Sequence, residues 1–134
     1  MVRPARYAAL ALLAASLAAG CGEPEPSDEE RVRETVTAFG RATADKDFQA
    51  LCDRILAPKL IEQVEQIGLP CESALREGLG DVKEPRLTIG RITVRDAEAT
   101  AEVRSSAAGQ EPSRDTLQLT KVGEDWRISS LDGS

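Results

Sequence analysis

The residues best suited to chemistry in this 134-residue chain are its cysteines and carboxylates, because histidine is absent. Without an imidazole, the chain has no Ser-His-Asp or Cys-His nucleophile and no histidine metal ligand. The three cysteines, Cys21, Cys52 and Cys71, contain no Cys-x-x-Cys pair, and no acidic run has the spacing of a calcium-binding loop. We therefore expect neither a bound metal nor a cofactor.

Carboxylates leave one route to catalysis, a lone general base in an apolar pocket. The candidates are Asp45, Asp47, Asp53, Glu102 and Asp115. Asp47 is better explained as a helix cap, Asp45 as a solvated turn residue, and Asp53 as a residue facing water. Glu102 and Asp115 fall in predicted strands, on faces that the alternation marks as polar. Catalysis by one of these carboxylates is therefore the alternative prediction.

Arginines recur through the predicted strand region, at Arg86, Arg91, Arg95, Arg104 and Arg114. They form either a basic strip for an anionic ligand or a solvated sheet face. We favour the solvated face, with cross-strand pairs to Glu98, Glu102 and Asp115 that each contribute under about 1 kcal/mol. Trp126 either stacks on a ligand at a pocket mouth or packs in the core, and we favour the core.

The charge balance argues against nucleic acid as a partner. The chain has 23 acidic and 17 basic residues, a net charge of −6, and only 3% of its residues are aromatic. Removal of residues 1–20, expected below, takes away two arginines and leaves 15 basic residues against 23 acidic ones, or −8. Phosphate binding needs a basic and often aromatic-lined surface. The acidic residues are spread along the chain, which favours solubility.

The first 20 residues have the layout of a secretion signal. Two arginines near the start are followed by an unbroken apolar run over residues 8–15 and then by small residues that end at Cys21. The apolar stretch is shorter than the roughly 20 residues that a membrane-spanning helix needs. We therefore expect residues 1–20 to be a cleaved signal peptide.

The sequence Leu17-Ala18-Ala19-Gly20-Cys21 resembles the lipobox of bacterial lipoproteins. In that family the cysteine thiol receives a diacylglycerol, the signal is cut before the cysteine, and the new amino group is often acylated. The resemblance implies that Cys21 is lipidated and holds the protein on the extracytoplasmic face of the cell membrane. Residues 21–27, rich in proline and glutamate, then form a solvated tether. The alternative is an ordinary signal peptide with a chance cysteine.

The two remaining cysteines, Cys52 and Cys71, make an even pair outside the cytoplasm. Such a pair predicts a disulfide bond. Each cysteine lies in a segment with helical periodicity, so the bond would join two helices. Closing a loop of this length stabilises a fold by roughly 3 kcal/mol.

The first element that positions these residues is a long amphipathic helix. Residues Ser27-Asp28-Glu29-Glu30 fit a capping box, with Ser27 as the N-cap and Glu30 at the third helical position. Val32, Val36 and Phe39 follow at spacings of four and three, which is one helical stripe. Gly40 lies inside this helix, where it would allow close packing against a strand.

Three shorter helices follow. The second begins at Asp47 and carries an apolar face that runs through Leu56. The third begins at Pro58 and ends at Gly68, with Ile67 in its apolar stripe. The fourth begins at Pro70 and closes near Gly80.

From Pro85 onward the apolar residues alternate with polar ones, which is the period of a strand. Four strands have core-facing residues at Leu87, Ile89, Ile92 and Val94, then Ala99, Ala101 and Val103, then Leu117 and Leu119, then Trp126, Ile128 and Ser130. Gly90 lies at a break in phase, which predicts a β-bulge. Turns at residues 95–98 and 123–125 and a loop at 107–112 are short, so neighbouring strands should be antiparallel.

Helices followed by an antiparallel sheet predict an α+β domain over residues 28–131, with helices packed on a curved sheet of about four strands. This layout resembles the cystatin-like, nuclear-transport-factor-2-like roll. The stretch from Leu117 to Ile128, which ends Val-Gly-Glu-Asp-Trp-Arg-Ile, is similar to the final hairpin of many members. The chain is also similar to uncharacterised lipoproteins of high-G+C Gram-positive bacteria, which share the lipobox, the two cysteines and the terminal Trp-Arg-Ile strand. The resemblance covers about residues 28–131.

That superfold includes ketosteroid-isomerase-like and polyketide-cyclase-like enzymes as well as binding modules without catalysis, so the fold alone does not decide the function. Its enzymes commonly use Asp, His or Tyr inside the cone, and residues 21–134 contain neither His nor Tyr. We therefore predict a membrane-tethered, non-enzymatic binding module for a small apolar ligand or a protein partner. The alternative is an enzyme of the isomerase or cyclase kind with a lone carboxylate. A dimer or partner surface on the open sheet face is a third hypothesis.

Overall fold

The computed structural model describes Val2, Gly20 and residues 22–133, with side chains through Leu131. Within this part of the chain, helices come first and a four-stranded antiparallel sheet follows, which confirms the predicted α+β arrangement. No helix within the described ranges is long and apolar enough to cross a bilayer. Most of the predicted signal peptide, and the lipidation of Cys21, lie outside the described residues.

Helix α1 covers Asp28–Asp45 and begins at the predicted capping box. The Ser27 hydroxyl accepts the Glu30 N–H at 3.2 Å, and the Glu30 carboxylate accepts the Ser27 N–H at 2.7 Å. Val32 and Val36 are fully buried on the face that packs on the sheet. The helix ends at Lys46, which has a left-handed φ of 56°.

The second helical segment is shorter than predicted. Helix α2 covers Phe48–Ala50 and continues as a π-helical turn over Leu51–Ile55. The Asp47 carboxylate accepts the Ala50 N–H at 3.0 Å, which confirms Asp47 as the cap. Leu56 was expected in the helix and is instead extended, with ψ 140°.

Leu56 leaves the helix because of the proline that follows two residues later. Pro58 disfavours helical backbone at Ala57, which is also extended at ψ 150°. The extended pair lies beside the sheet, where Leu56 forms a parallel bridge with Ile128 and the Ala57 N–H donates to the Ile128 carbonyl at 2.7 Å. A segment predicted as helix therefore covers the edge of the sheet.

Helix α3 covers Pro58–Glu65 and helix α4 covers Cys71–Leu79, close to the predicted ranges. Pro58 occupies the first helical turn, as expected. The prediction for Ile67 is wrong, because α3 ends before it and its side chain is 65% exposed. The physical reason is the following glycine, Gly68, whose φ of 91° turns the chain away from the helix.

The four strands are β1 (Arg86–Arg95), β2 (Glu98–Ser106), β3 (Ser113–Val122) and β4 (Asp125–Gly133). They lie in the order β1-β2-β3-β4, and each pair is antiparallel. A shift in register between Ile89 and Ile92 confirms the bulge predicted at Gly90. A Cβ added to Gly90 would lie 3.2 Å from the Glu102 carbonyl oxygen, so the strand passes close to its neighbour there.

A second bulge, in β4, was not predicted. Leu119 is opposite Ile128, whereas Gln118 is opposite Ser130, so one residue of β4 is inserted between the two pairs. The insertion inverts the alternation beyond it. Ser130 therefore lies in the row of Gln118 and not in the core row, and that prediction is wrong. Leu131 takes the place opposite Leu117.

The core lies between α1 and one face of the sheet, which we call the inner face. Every buried side chain of the described residues is apolar and falls between Val32 and Ile128. Trp126 is 3% exposed, and its indole N–H donates to the Asp28 carboxylate at 3.1 Å, so Trp126 is a core residue as predicted. Because the core is complete within residues 28–131, we expect residues 22–134 to fold alone.

A disulfide bond joins Cys52 to Cys71, with an S–S distance of 2.03 Å and a Cα–Cα distance of 6.1 Å. It links the π-helical turn to the start of α4, which confirms the predicted pairing. Both cysteines are buried. The bond therefore fixes the α3–α4 segment, whose other buried side chains are Leu60 and Ala74, against the rest of the domain.

Candidate functional site

A cavity of about 350 Å³ opens at one end of the domain, and we call it the end cavity. It lies between the C-terminal half of α1, the residues that follow α4 and the ends of the strands near the β2–β3 loop. Apolar side chains make up much of its wall, including Phe39, Leu79, Val82, Leu87, Leu117 and Leu131. Its volume is in the range of sites that hold small molecules.

Gly40 contributes to this wall, and the prediction that it packs against a strand is confirmed. A Cβ added to Gly40 would lie 3.4 Å from the Leu87 Cβ, so α1 approaches β1 closely here. On the other side, Lys46 fixes the chain after α4. Its ammonium donates to the carbonyl oxygens of Leu79, Gly80 and Val82 at 3.2, 2.6 and 3.0 Å. This contact holds two residues of the cavity wall, Leu79 and Val82, beside the end of α1.

One polar cluster interrupts the apolar wall of the end cavity. Ser105 and Ser113 are opposite each other on β2 and β3, and both hydroxyls donate to Oδ2 of Asp115, at 2.7 and 2.8 Å. The two hydroxyl oxygens are 2.8 Å apart. All three residues line the cavity. We call them the Ser-Ser-Asp cluster.

The prediction that Asp115 lies on the polar face is wrong. Asp115 is opposite Val103, and Leu117 is opposite Ala101, so Asp115 shares the inner face with these core residues. The side chain is half-buried. The signal was present in the sequence, because Asp115 and Leu117 are two residues apart and therefore point to the same face. Glu102, by contrast, is exposed on the opposite, outer face, as predicted.

The other candidate carboxylates lie outside the end cavity. Asp45 and Asp53 are exposed, as expected, and Asp47 serves as the cap of α2. Of the five carboxylates proposed from the sequence, Asp115 alone lines the cavity. Sequence analysis missed its partners Ser105 and Ser113, which are separated by the predicted loop. Their joint position becomes evident only when the register of β2 with β3 is known.

Four of the five arginines, all except Arg114, lie on the sheet without an ion pair to the predicted acidic partners. All five side chains are exposed, which agrees with a solvated sheet face. Among the described ion pairs, none joins Arg86, Arg91, Arg95 or Arg104 to Glu98, Glu102 or Asp115, so these cross-strand pairings are wrong. The reason for Asp115 is its position on the inner face. For the exposed residues, the entropy lost when two long side chains are ordered is about as large as the electrostatic gain of the ion pair in water.

The opposite end of α1 is fixed by Asp28. Its carboxylate accepts hydrogen bonds from Lys121 at 3.0 Å and from the Trp126 indole at 3.1 Å, on the β3–β4 hairpin. The hydrogen bond from Lys121, and then that from Trp126, lower the pKa of Asp28 below the usual 3.8. Gly40, at the cavity, is 12 residues along α1, or about 18 Å at the rise of an α-helix. The segment that precedes α1 therefore joins the domain at the end remote from the cavity.

Within residues 22–131, no group of three Cys, Asp or Glu side chains is arranged to hold a metal ion. In comparisons with known proteins, no family model, no curated protein and no solved structure matches the chain.

Proposed function

We propose that this protein is a lipid-anchored, extracytoplasmic module with a cystatin-like (nuclear-transport-factor-2-like) domain that binds a small apolar ligand in the end cavity. The observation that carries the proposal is an open cavity of about 350 Å³ with a largely apolar wall. Water inside such a wall is readily displaced by apolar surface, which gives about 25 cal/mol for each Å² buried. The lipobox-like residues that end at Cys21 support the anchor.

The geometry of the tether agrees with this function. Glu23, Glu25 and two prolines precede α1, and all are exposed. An anchor at Cys21 would attach the domain to the bilayer through the end that carries the β3–β4 hairpin, and the end cavity lies about 18 Å from that end, by the rise of α1. The cavity would then face the extracytoplasmic medium, from which a dissolved ligand arrives.

Binding of an uncharged fluorescent probe, N-phenyl-1-naphthylamine, to residues 22–134 tests the cavity. We expect saturable enhancement of fluorescence with one site. Thr43→Phe places a ring in the cavity wall and should abolish the binding. Thr37→Phe adds the same ring to the exposed face of the same helix and should leave it unchanged. Equal binding by both variants would contradict the proposal.

A second function, proton transfer by an isomerase-like or cyclase-like enzyme, is supported by one observation. Asp115 is a half-buried carboxylate in an apolar cavity, which is the setting of a general base. Exchange of the α-protons of 2-decalone in D2O, followed by NMR, separates the two functions. Exchange that depends on Asp115 would establish the enzyme, and exchange no faster than in buffer alone supports the binding module.

A further inference from the structure

We propose that the end cavity selects amphiphiles with a protonated amino head group, which the Ser-Ser-Asp cluster binds while the alkyl part fills the apolar space. This inference rests on the proposed function, because it names the class of ligand for the same cavity. The three oxygen atoms of the cluster are Ser105 Oγ, Ser113 Oγ and Asp115 Oδ2.

The cluster has two hydroxyl protons for three oxygen–oxygen contacts at hydrogen-bond distance. Its three oxygen atoms are separated by 2.7, 2.8 and 2.8 Å, so each pair is at hydrogen-bond distance. Each serine hydroxyl supplies one proton, and a carboxylate supplies none. When both protons are directed at Asp115 Oδ2, the contact between the two hydroxyl oxygens has no proton. The cluster then offers lone pairs and no donor to a ligand in the cavity.

A hydrogen-bond donor with positive charge matches this cluster. An ammonium group has three N–H donors and no acceptor, and its hydrogen bonds to a carboxylate are charge-assisted. A carboxylate or phosphate head group would place negative charge beside Asp115 and would find no free donor in the cluster. An uncharged hydroxyl would donate one hydrogen bond to the carboxylate but would lack the attraction between opposite charges and the additional N–H donors.

The other charges of the cavity wall agree with this choice. Among the described side chains, the charged residues that line the cavity besides Asp115 are Arg86 and Glu111, which are both exposed. These two have opposite charges, so the carboxylate of the cluster leaves the wall with one net negative charge. The apolar side chains elsewhere in the wall then require that the rest of the ligand be hydrocarbon.

Octylamine, octanol and octanoate form a matched series with one alkyl chain and three head groups. Octylamine is protonated at pH 7, as a lysine side chain is. Displacement of N-phenyl-1-naphthylamine from residues 22–134, in 0.15 M NaCl, measures the three affinities. We expect octylamine to bind about tenfold more tightly than octanol, because its head group adds a positive charge and two further donors to the one hydrogen bond that octanol can donate. Octanoate should bind more weakly than octanol.

Two variants locate the selectivity. Asp115→Asn removes the charge with little change in volume, and it should bring octylamine to within about threefold of octanol, since the ionic part of the contact is lost. Glu102→Gln removes the same charge from the outer face of the adjacent strand and should leave the tenfold preference intact. A preference that falls equally in both variants would assign it to the net charge of the protein and overturn the site.

The outcomes separate this inference from the proposed function. If the probe binds and Thr43→Phe abolishes the binding, but octylamine and octanol compete equally, the cavity stands and the selectivity is wrong. If the probe does not bind, the proposed function itself fails. The series in the unsubstituted protein needs no variant to fold, so a misfolded Asp115→Asn leaves the comparison of head groups decisive.

Discussion

Reduction of the Cys52–Cys71 disulfide should lower the stability of the domain by about 3 kcal/mol. The two cysteines are separated by 19 residues in sequence. Cross-linking a loop of this length reduces the conformational entropy of the unfolded chain, which raises its free energy by about 3 kcal/mol in the chain-entropy treatment. Reduction leaves both side chains in place, so it isolates the cross-link from the packing of the sulfur atoms.

The structure indicates which elements the loss of the disulfide should destabilise most. Besides the disulfide, α3 and α4 are attached through two buried side chains, Leu60 and Ala74, through Lys46, and through partly buried side chains that pack on the core, which are Ile61, Leu75 and Leu79. Amide exchange in both helices should therefore accelerate more than exchange in β2 and β3, which are the central strands. Because Leu79 and Val82 line the end cavity, reduction should also weaken binding of the fluorescent probe.

Urea unfolding followed by Trp126 fluorescence measures this effect. Trp126 is buried in the core, so the change in its fluorescence reports unfolding of the core. A loss of about 3 kcal/mol shifts the midpoint by roughly 2 M urea for a domain of this size. A double variant, Cys52→Ala with Cys71→Ala, should lose somewhat more, because it also removes two buried sulfur atoms. A reduced protein with an unchanged midpoint, or two free thiols in the purified domain, would refute the reasoning.

Three further substitutions test contacts at the two ends of α1. Asp28→Asn should destabilise the domain at pH 7. Because folding lowers the pKa of Asp28, its contribution to stability is present above about pH 4 and is lost as the pH falls through the lowered pKa. The urea midpoints of variant and wild type should therefore converge toward pH 2, and a constant difference between them would contradict this. Lys46→Met should lower the free energy of unfolding in urea by about 1 kcal/mol. The control Lys59→Met, at an exposed position of α3, should lower it by less than about 0.5 kcal/mol. Equal losses would contradict the contact of Lys46 with the chain at the end of α4. Gly40→Ala should raise the free energy of unfolding by about 0.5–1 kcal/mol, because alanine has the higher helix propensity and the added Cβ would lie 3.4 Å from the Leu87 Cβ, at ordinary contact distance. A loss of stability in urea unfolding would show that the approach of α1 to β1 has no room for a methyl group.

Local signals in the sequence predicted the elements of this fold well. Ser27 and Glu30 have the spacing of a capping box, and the structure forms both of its hydrogen bonds. Gly90 lies where the alternation of β1 changes phase, and the register shifts there. Both features depend on residues that are close in sequence, so short-range physical chemistry decides them.

The errors arose where the tertiary structure decides. Leu56 fits an apolar helical face, but Pro58 forces an extended backbone before it, and the edge of β4 offers a partner. Ser130 continues the alternation of Trp126 and Ile128, but a bulge in β4 inverts it. No local pattern marks that bulge, because its cause is the pairing with β3.

The candidate site was the least predictable part. Asp115 lies two residues before the core residue Leu117, so the alternation of β3 indicates the inner face for Asp115, against the prediction of the polar face. The contact between Ser105 and Ser113 depends on the register in which β2 pairs with β3. The end cavity also needs the approach of α1 and the position of the chain after α4, which no spacing in the sequence specifies.

Mass spectrometry of the protein extracted from membranes of the cell that produces it tests lipid anchoring most directly. We expect a mature chain that begins at Cys21 and carries a diacylglyceryl adduct on the thiol, with residues 1–20 absent. An unmodified Cys21 thiol, in a soluble chain that retains its first 20 residues, would contradict both the anchor and the extracytoplasmic location proposed for the end cavity.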